Sequence, residues 1–204
     1  MIKTLTRHTF VMISLLLLFS GCGRSGASRF YVLSPMPPDT VTLPPVNTLL
    51  SGLTIGVGPV SIPDYLDRPY IVTRSGPHNI RMADFDKWAG ALKHDIPRIL
   101  AENISHQVGT ENVVIFPWRN AVPIRYQVTV DIVQMDAEPG GNAVLDARWT
   151  LFGKNGREVL TMKKSRITVP IGGTGYTDIV RAESLTLGKL SRDIADTIRN
   201  LAAK

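Results

Sequence analysis

From Ile124 to Val169 the chain alternates between apolar and polar residues, and this pattern restricts its fold more than any other feature. Tyr126, Val128, Val130 and Ile132 are set against Arg125, Gln127, Thr129 and Asp131, and Leu145, Ala147, Trp149 and Leu151 against Asp146, Arg148 and Thr150. Successive side chains of a strand point to opposite faces, so each stretch predicts a strand with one buried and one wet face. Pro139-Gly140-Gly141 turns the first strand, over Ile124–Met135, into the second, and Asn155-Gly156 is a strong hairpin signal leading to a third over Arg157–Val169. An antiparallel meander of this kind has one apolar face that something else must cover.

Two helices are available to cover it. One is predicted from Asp84, as its cap, to Gln107, with Phe85, Trp88, Leu92, Ile96, Ile99, Leu100 and Ile104 at three- and four-residue steps and Gly109 ending it. Pro97 falls inside that stripe and should kink or divide the helix near Asp95. The other runs from Thr177 to Ala202, with Leu187, Leu190, Ile194, Ile198 and Leu201 on one side. Further strands are predicted at Phe30–Leu33, Leu53–Val60, Tyr70–Arg74, Asn79–Met82 and Asn112–Phe116, those at Tyr70 and Asn79 pairing as a hairpin. The expected fold is α+β: a largely antiparallel sheet with two main helices packed on one face. The other face is left either solvated or as a contact surface.

The beginning of the chain has a different character. Lys3 and Arg7 precede an apolar run from Phe10 to Phe19, and Ser20-Gly21 lead into Cys22, the only cysteine. The run is about half the roughly twenty residues that cross a bilayer as a helix, so it reads as a secretory signal. Small residues directly before a cysteine fit a bacterial lipobox, cleaved before Cys22, which then carries the acyl chains. Phe19 stands where such boxes usually have Leu. Gly23 follows the cysteine where lipoproteins retained at the inner membrane tend to have Asp, so the expected location is the outer membrane, lipid-anchored and facing the periplasm. The domain plan is a signal peptide at 1–21, a lipidated flexible tether at 22–29 and a single α+β periplasmic domain at 30–204. The tether reaches roughly 25 Å at most. Proline at positions 35, 37, 38, 44 and 45 then punctuates a loop.

Removing the signal takes Lys3 and Arg7 with it and lowers the net charge from +6 to +4, with acids well mixed among the bases. A nucleic-acid partner is not expected, since the densest basic cluster is only Lys163-Lys164 with Arg166. His8, His78, His94 and His106 show no metal-ligand spacing, and Asp64, Asp67, Asp84 and Asp86 lack the spacing of a calcium loop. Gly56-Val57-Gly58 has no third glycine and no helix after it, and reads as close backbone approach in a sheet. Gly172-Gly173-Thr174-Gly175 opens a helix without the Lys-Ser/Thr ending of a nucleotide loop, and reads as a flexible connection. No catalytic residue, metal or cofactor is indicated.

Tyr65-Leu66-Asp67-Arg68-Pro69-Tyr70-Ile71-Val72-Thr73-Arg74, followed by Trp88-Ala89-x-x-Leu92 and Leu100-Ala101-Glu102-Asn103, resembles the PqiC (YmbA) family of auxiliary outer-membrane lipoproteins. The lipobox, Phe116-Pro117-Trp118 and Trp149 also fit, and the resemblance covers nearly all of the mature chain. It departs at Asp86-Lys87, where the family has a His-Arg-like pair, a difference expected to alter the local surface. The resemblance implies a non-enzymatic subunit of an ABC-type, MCE-linked system moving phospholipid or other hydrophobic cargo between membranes. The implied partners are an MCE-domain protein of PqiB type, whose tunnel the lipoprotein would dock at the outer membrane, and an associated inner-membrane component. Homo-oligomerisation is compatible with such a partner.

The expected partner-binding residues are Tyr65, Leu66, Arg68 and Trp88, since Tyr, Trp and Arg dominate interface energetics. Their bland alternative is that Leu66 and Trp88 are core and Arg68 pairs with Asp64 or Asp67. The competing functional reading is an outer-membrane adaptor for another envelope assembly or a cell-wall system. Direct lipid carriage would need a cavity lined by the meander's apolar side chains, which the two helices are expected to cover themselves.

Overall fold

The computed structural model describes residues 26–37, 52–118, 122–154 and 156–203. The signal, Cys22, residues 23–25 of the tether and most of the proline-punctuated loop lie outside these, as does Asn155 of the second meander turn. The described elements are β1 (Arg29–Tyr31), β2 (Ile55–Ser61), β3 (Tyr70–Arg74), β4 (Ile80–Trp88), α1 (Leu92–Val108), β5 (Val113–Ile115), β6 (Tyr126–Ala137), β7 (Asn142–Gly153), β8 (Glu158–Pro170) and α2 (Tyr176–Ala202).

The meander forms as its alternation predicts. β6 and β7 pair antiparallel with Val130 opposite Trp149, and β7 and β8 pair antiparallel with Leu145 opposite Ile167. Val128, Val130, Ile132, Leu145, Ala147, Trp149 and Leu151 are all buried. α2 packs over β6, β7 and β8, and α1 packs against α2, β2 and β5. Leu187, Leu190, Ile194 and Ile198 of α2 meet Leu92, Ile96, Leu100 and Ile104 of α1 in one continuous apolar cluster. Each such side chain contributes about 1.5–3 kcal/mol when fully buried.

Both predicted helices are present on one face of an eight-stranded sheet, but the sheet is mixed. β2 runs parallel to β5 and to the first half of β6, β3 meets the end of β6 in parallel at Thr73 and Ala137, and β1 lies parallel to β4. Only the meander and the β3–β4 hairpin are antiparallel.

The first helix starts later than its sequence stripe suggests. Asp84, Phe85 and Trp88 belong to β4, which pairs with β3 on one side and β1 on the other, and the helix opens at Leu92 with Ala91 as an N-cap that makes no side-chain bond. Phe85 is exposed, so it is not part of the helical stripe. Pro97 falls in the second turn and α1 is not divided there. The carbonyl that loses its donor belongs to Lys93, an exposed residue, where water can serve it. Gly109 ends the helix as expected, at φ 78°, its N–H bonded to Ser105 O at 2.9 Å.

The glycines of β2 serve close approach. A Cβ at Gly56 would stand 2.9 Å from the Trp118 ring, and one at Gly58, where φ is +120°, would stand 2.7 Å from Phe116 Cβ. Phe116 and Trp118 themselves stack edge-on with centroids 5.4 Å apart, closing the sheet beside β5.

Candidate docking surface

The turn between β2 and β3 carries three of the four predicted contact residues. It is closed by Leu66 N–H donating to Pro63 O at 2.9 Å and Asp67 N–H to Asp64 O at 3.2 Å. Leu66, 4% exposed, plugs into the core, whereas Arg68 is exposed. Trp88, 6% exposed, ends β4 behind the turn, its N–H donating to Pro69 O at 2.8 Å. Arg68 and Trp88 line one shallow groove of about 390 Å³ together with Asp67, Pro69 and Ala89–Ala91. Asp67 pairs with Lys93 of α1 at 3.1 Å, so the turn is tied to the start of that helix. Three of the four residues thus divide: Leu66 and Trp88 lie buried beneath the turn, and Arg68 presents its charge to solvent.

Tyr65 is half-buried, and its hydroxyl donates to Asp136 Oδ2 at 3.1 Å. Burial first, and the Asp136 charge second, push its phenol up to about 12. Asp136 is itself 2% exposed and accepts a fork from Arg74, Nε to Oδ1 at 2.9 Å and Nη2 to Oδ2 at 2.7 Å, and a further bond from Gln134. Four donors on one carboxylate satisfy a buried charge that would otherwise be costly. Because β3 and β6 share only the Thr73–Ala137 bridge, this ion pair fastens the β2–β3 turn and the β3–β4 hairpin to the meander.

A second buried acid fixes the other edge. Asp86 lies 2.8 Å from Arg29 Nε and accepts from Arg29 Nη2 at 2.9 Å and the Tyr31 hydroxyl at 2.7 Å. Burial raises its carboxyl, but the bonds from Arg29 and Tyr31 outweigh burial and hold it below the usual carboxylate value. Of the Asp86-Lys87 pair expected to alter the local surface, Asp86 is therefore buried in a link from β4 to an exposed Arg29 on β1, and Lys87 is half-buried. The partners of Asp86 lie 55 and 57 residues away, and no local signal in the sequence marks them.

A larger concavity among the described residues involves none of the predicted contact residues. About 740 Å³ opens between residues 30–37 and the first turns of α2, with Phe30, Val32, Pro35, Met36, Val180 and Leu185 among its walls. Among the described residues Phe30, on β1, and Val32, just after it, are 65% and 58% exposed. The strap that makes one wall is pinned: Ser34 N–H donates to Ser184 Oγ at 3.2 Å and Met36 N–H to Asn103 Oδ1 at 2.8 Å. Met36 packs onto Gly188, where any side chain would collide with it. The meander's apolar side chains, by contrast, are covered by the helices, as expected.

The glycine loop before α2 holds its own acid. A side chain at Gly173 would run into the Asp178 carboxylate, which also pairs with Arg181 at 3.1 Å. No group of three His, Cys, Asp or Glu placed to hold a metal occurs among the described residues. No helix among them is long and apolar enough to cross a membrane.

These features define a class before they define a family: an α+β domain whose charged clusters tie its elements together and whose described surface includes an Arg-tipped turn and an apolar groove. The family model described as the ABC-type transport auxiliary lipoprotein component matches residues 31–195, and the chain belongs to that family. Its members are transport auxiliary components, lipoproteins of the cell envelope, and not a known enzyme family. Among solved structures, an uncharacterised protein is similar at 18% identity over 85% of this chain and 99% of its own, with a TM-score of 0.68. A Xanthomonas campestris protein of the DUF330 family is similar at 14% identity over 82% of this chain and 92% of its own, with a TM-score of 0.66. At such identities the likeness is one of fold. No curated protein matches the sequence.

Proposed function

We propose that the chain is an outer-membrane-anchored periplasmic lipoprotein that docks the tunnel of an MCE-domain protein of PqiB type within an ABC-type intermembrane lipid transport system. The observation that carries this reading is the family match over residues 31–195 with Cys22 just ahead of it. Acylation there supplies more than one buried chain, enough for stable attachment. The task left to the domain is contact rather than turnover. In this reading Arg68 makes the contact, Leu66 and Trp88 set the height and angle of the turn, and Tyr65 fastens it through Asp136.

The test is capture of the cognate MCE-domain protein by the detergent-solubilised, acylated chain. Arg68→Glu should weaken capture by about fivefold or more with an unchanged melting temperature, as a charge reversal at an interface anchor does. Capture undiminished by a folded R68E protein removes this turn from the interface, and no capture by the wild-type chain overturns the docking role.

A further inference from the structure

We propose that the groove between residues 30–37 and α2 takes one acyl chain of a phospholipid from the bilayer to which Cys22 tethers the domain. The inference rests on the anchored reading above and adds a lipid contact made by the domain itself. The first argument is chemical. The polar groups in the walls are already engaged: the Tyr31 hydroxyl with Asp86, the Ser184 hydroxyl with Val180 O at 2.8 Å, the Ser34 N–H with Ser184. The one charged residue of the lining, Arg181, is paired with Asp178. A polar ligand would find few free partners, whereas an apolar chain would cover Phe30 and Val32, which water now meets.

The second argument is position. β1 opens at Arg29, seven residues after Cys22. So short a stretch spans roughly 25 Å when fully extended, so the strand edge that forms the groove lies close to the membrane that holds Cys22. The third is fit. The volume of about 740 Å³ lies in the ordinary range for small-molecule sites, and the strap that forms one wall is hydrogen-bonded to Ser184 of α2 and Asn103 of α1.

The mature acylated chain is placed in phosphatidylethanolamine–phosphatidylglycerol vesicles containing a trace of phosphatidylethanolamine with a photoactivatable diazirine on its acyl chain. After illumination, label is expected on the peptides spanning 30–37 and 177–185. Val32→Asp and Leu185→Asp, both at exposed positions, should each cut that label about tenfold by placing a charge against hydrocarbon, with thermal unfolding unchanged. Val159→Asp, also at an exposed position but on β8, should not cut it. Label spread evenly over the surface, label in both groove variants undiminished from that of the unsubstituted chain, or an unlabelled groove, as when the protein's own anchor fills it, overturns the proposal. The intact mass of the same preparation reports acylation of Cys22, so a missing anchor is read separately from an empty groove.

Discussion

Glu183 stands in line with Leu187, Leu190 and Ile194 on the buried side of α2, and its Oε2 has no hydrogen-bond partner. Burial, and after it the charge of Asp136, push its carboxyl up to about 8, so at neutral pH it is mostly protonated. Unfolded, the same group ionises near 4.5. Between these values the unfolded chain has released a proton that the folded chain keeps, so stability falls as pH rises, by up to about 1.4 kcal/mol per unit for this group. Glu183→Gln should flatten the decline in melting temperature between pH 5 and pH 8 and leave the variant the more stable at the upper end. A parallel decline in both proteins would assign the pH dependence to other groups. The position was legible in principle, because a Glu three to four residues from each apolar neighbour on a stripe must be buried. The carboxylates of Asp86 and Asp136 were not, because their Arg and Tyr partners are 55 to 71 residues distant and nothing local marks the pairing.

At the scale of elements, the sequence was read best where periodicity is local and long. The β6–β7–β8 meander and α2 came out nearly as spaced, because alternation and the three-to-four step are properties of each segment alone. The error at Phe85 and Trp88 has the same origin. Their spacing to Leu92 mimics a helical stripe, yet β4 is held as a strand by β3 and by β1, and long-range pairing overrides a short periodic match. Parallel neighbours leave no turn between them to read, so the pairings of β2 with β5 and β6 were invisible. The joint between β3 and β6 is the element-scale weak point, since one bridge and the Arg74–Asp136 fork carry it. Arg74→Ala would leave a buried carboxylate without its cation and should destabilise the fold by about 3 kcal/mol in urea unfolding. A loss below about 1 kcal/mol would mean that packing of the Leu66 turn holds the joint instead.

For the whole molecule, the parts fall into a consistent division of labour. Helices on one face of the sheet bury the apolar cluster, two enclosed acids tie the edges and the hairpin to it, and the open features among the described residues include a turn tipped by Arg68 and a groove beside residues 30–37. The candidate contact turn was legible as a string of residue types, but the assignment of Leu66 and Trp88 to its support required the fold. The groove was not legible, because one wall comes from residues 30–37 and the other from α2, and their junction depends on single contacts such as Met36 on Gly188.

The account depends most on where the mature chain begins and what it carries there. The decisive measurement is the intact mass of the protein recovered from the outer-membrane fraction of cells that express it. The predicted species begins at Cys22 and carries a diacylglyceryl thioether and an N-acyl chain. An unmodified N-terminus on protein found free in the periplasmic fraction would contradict the account.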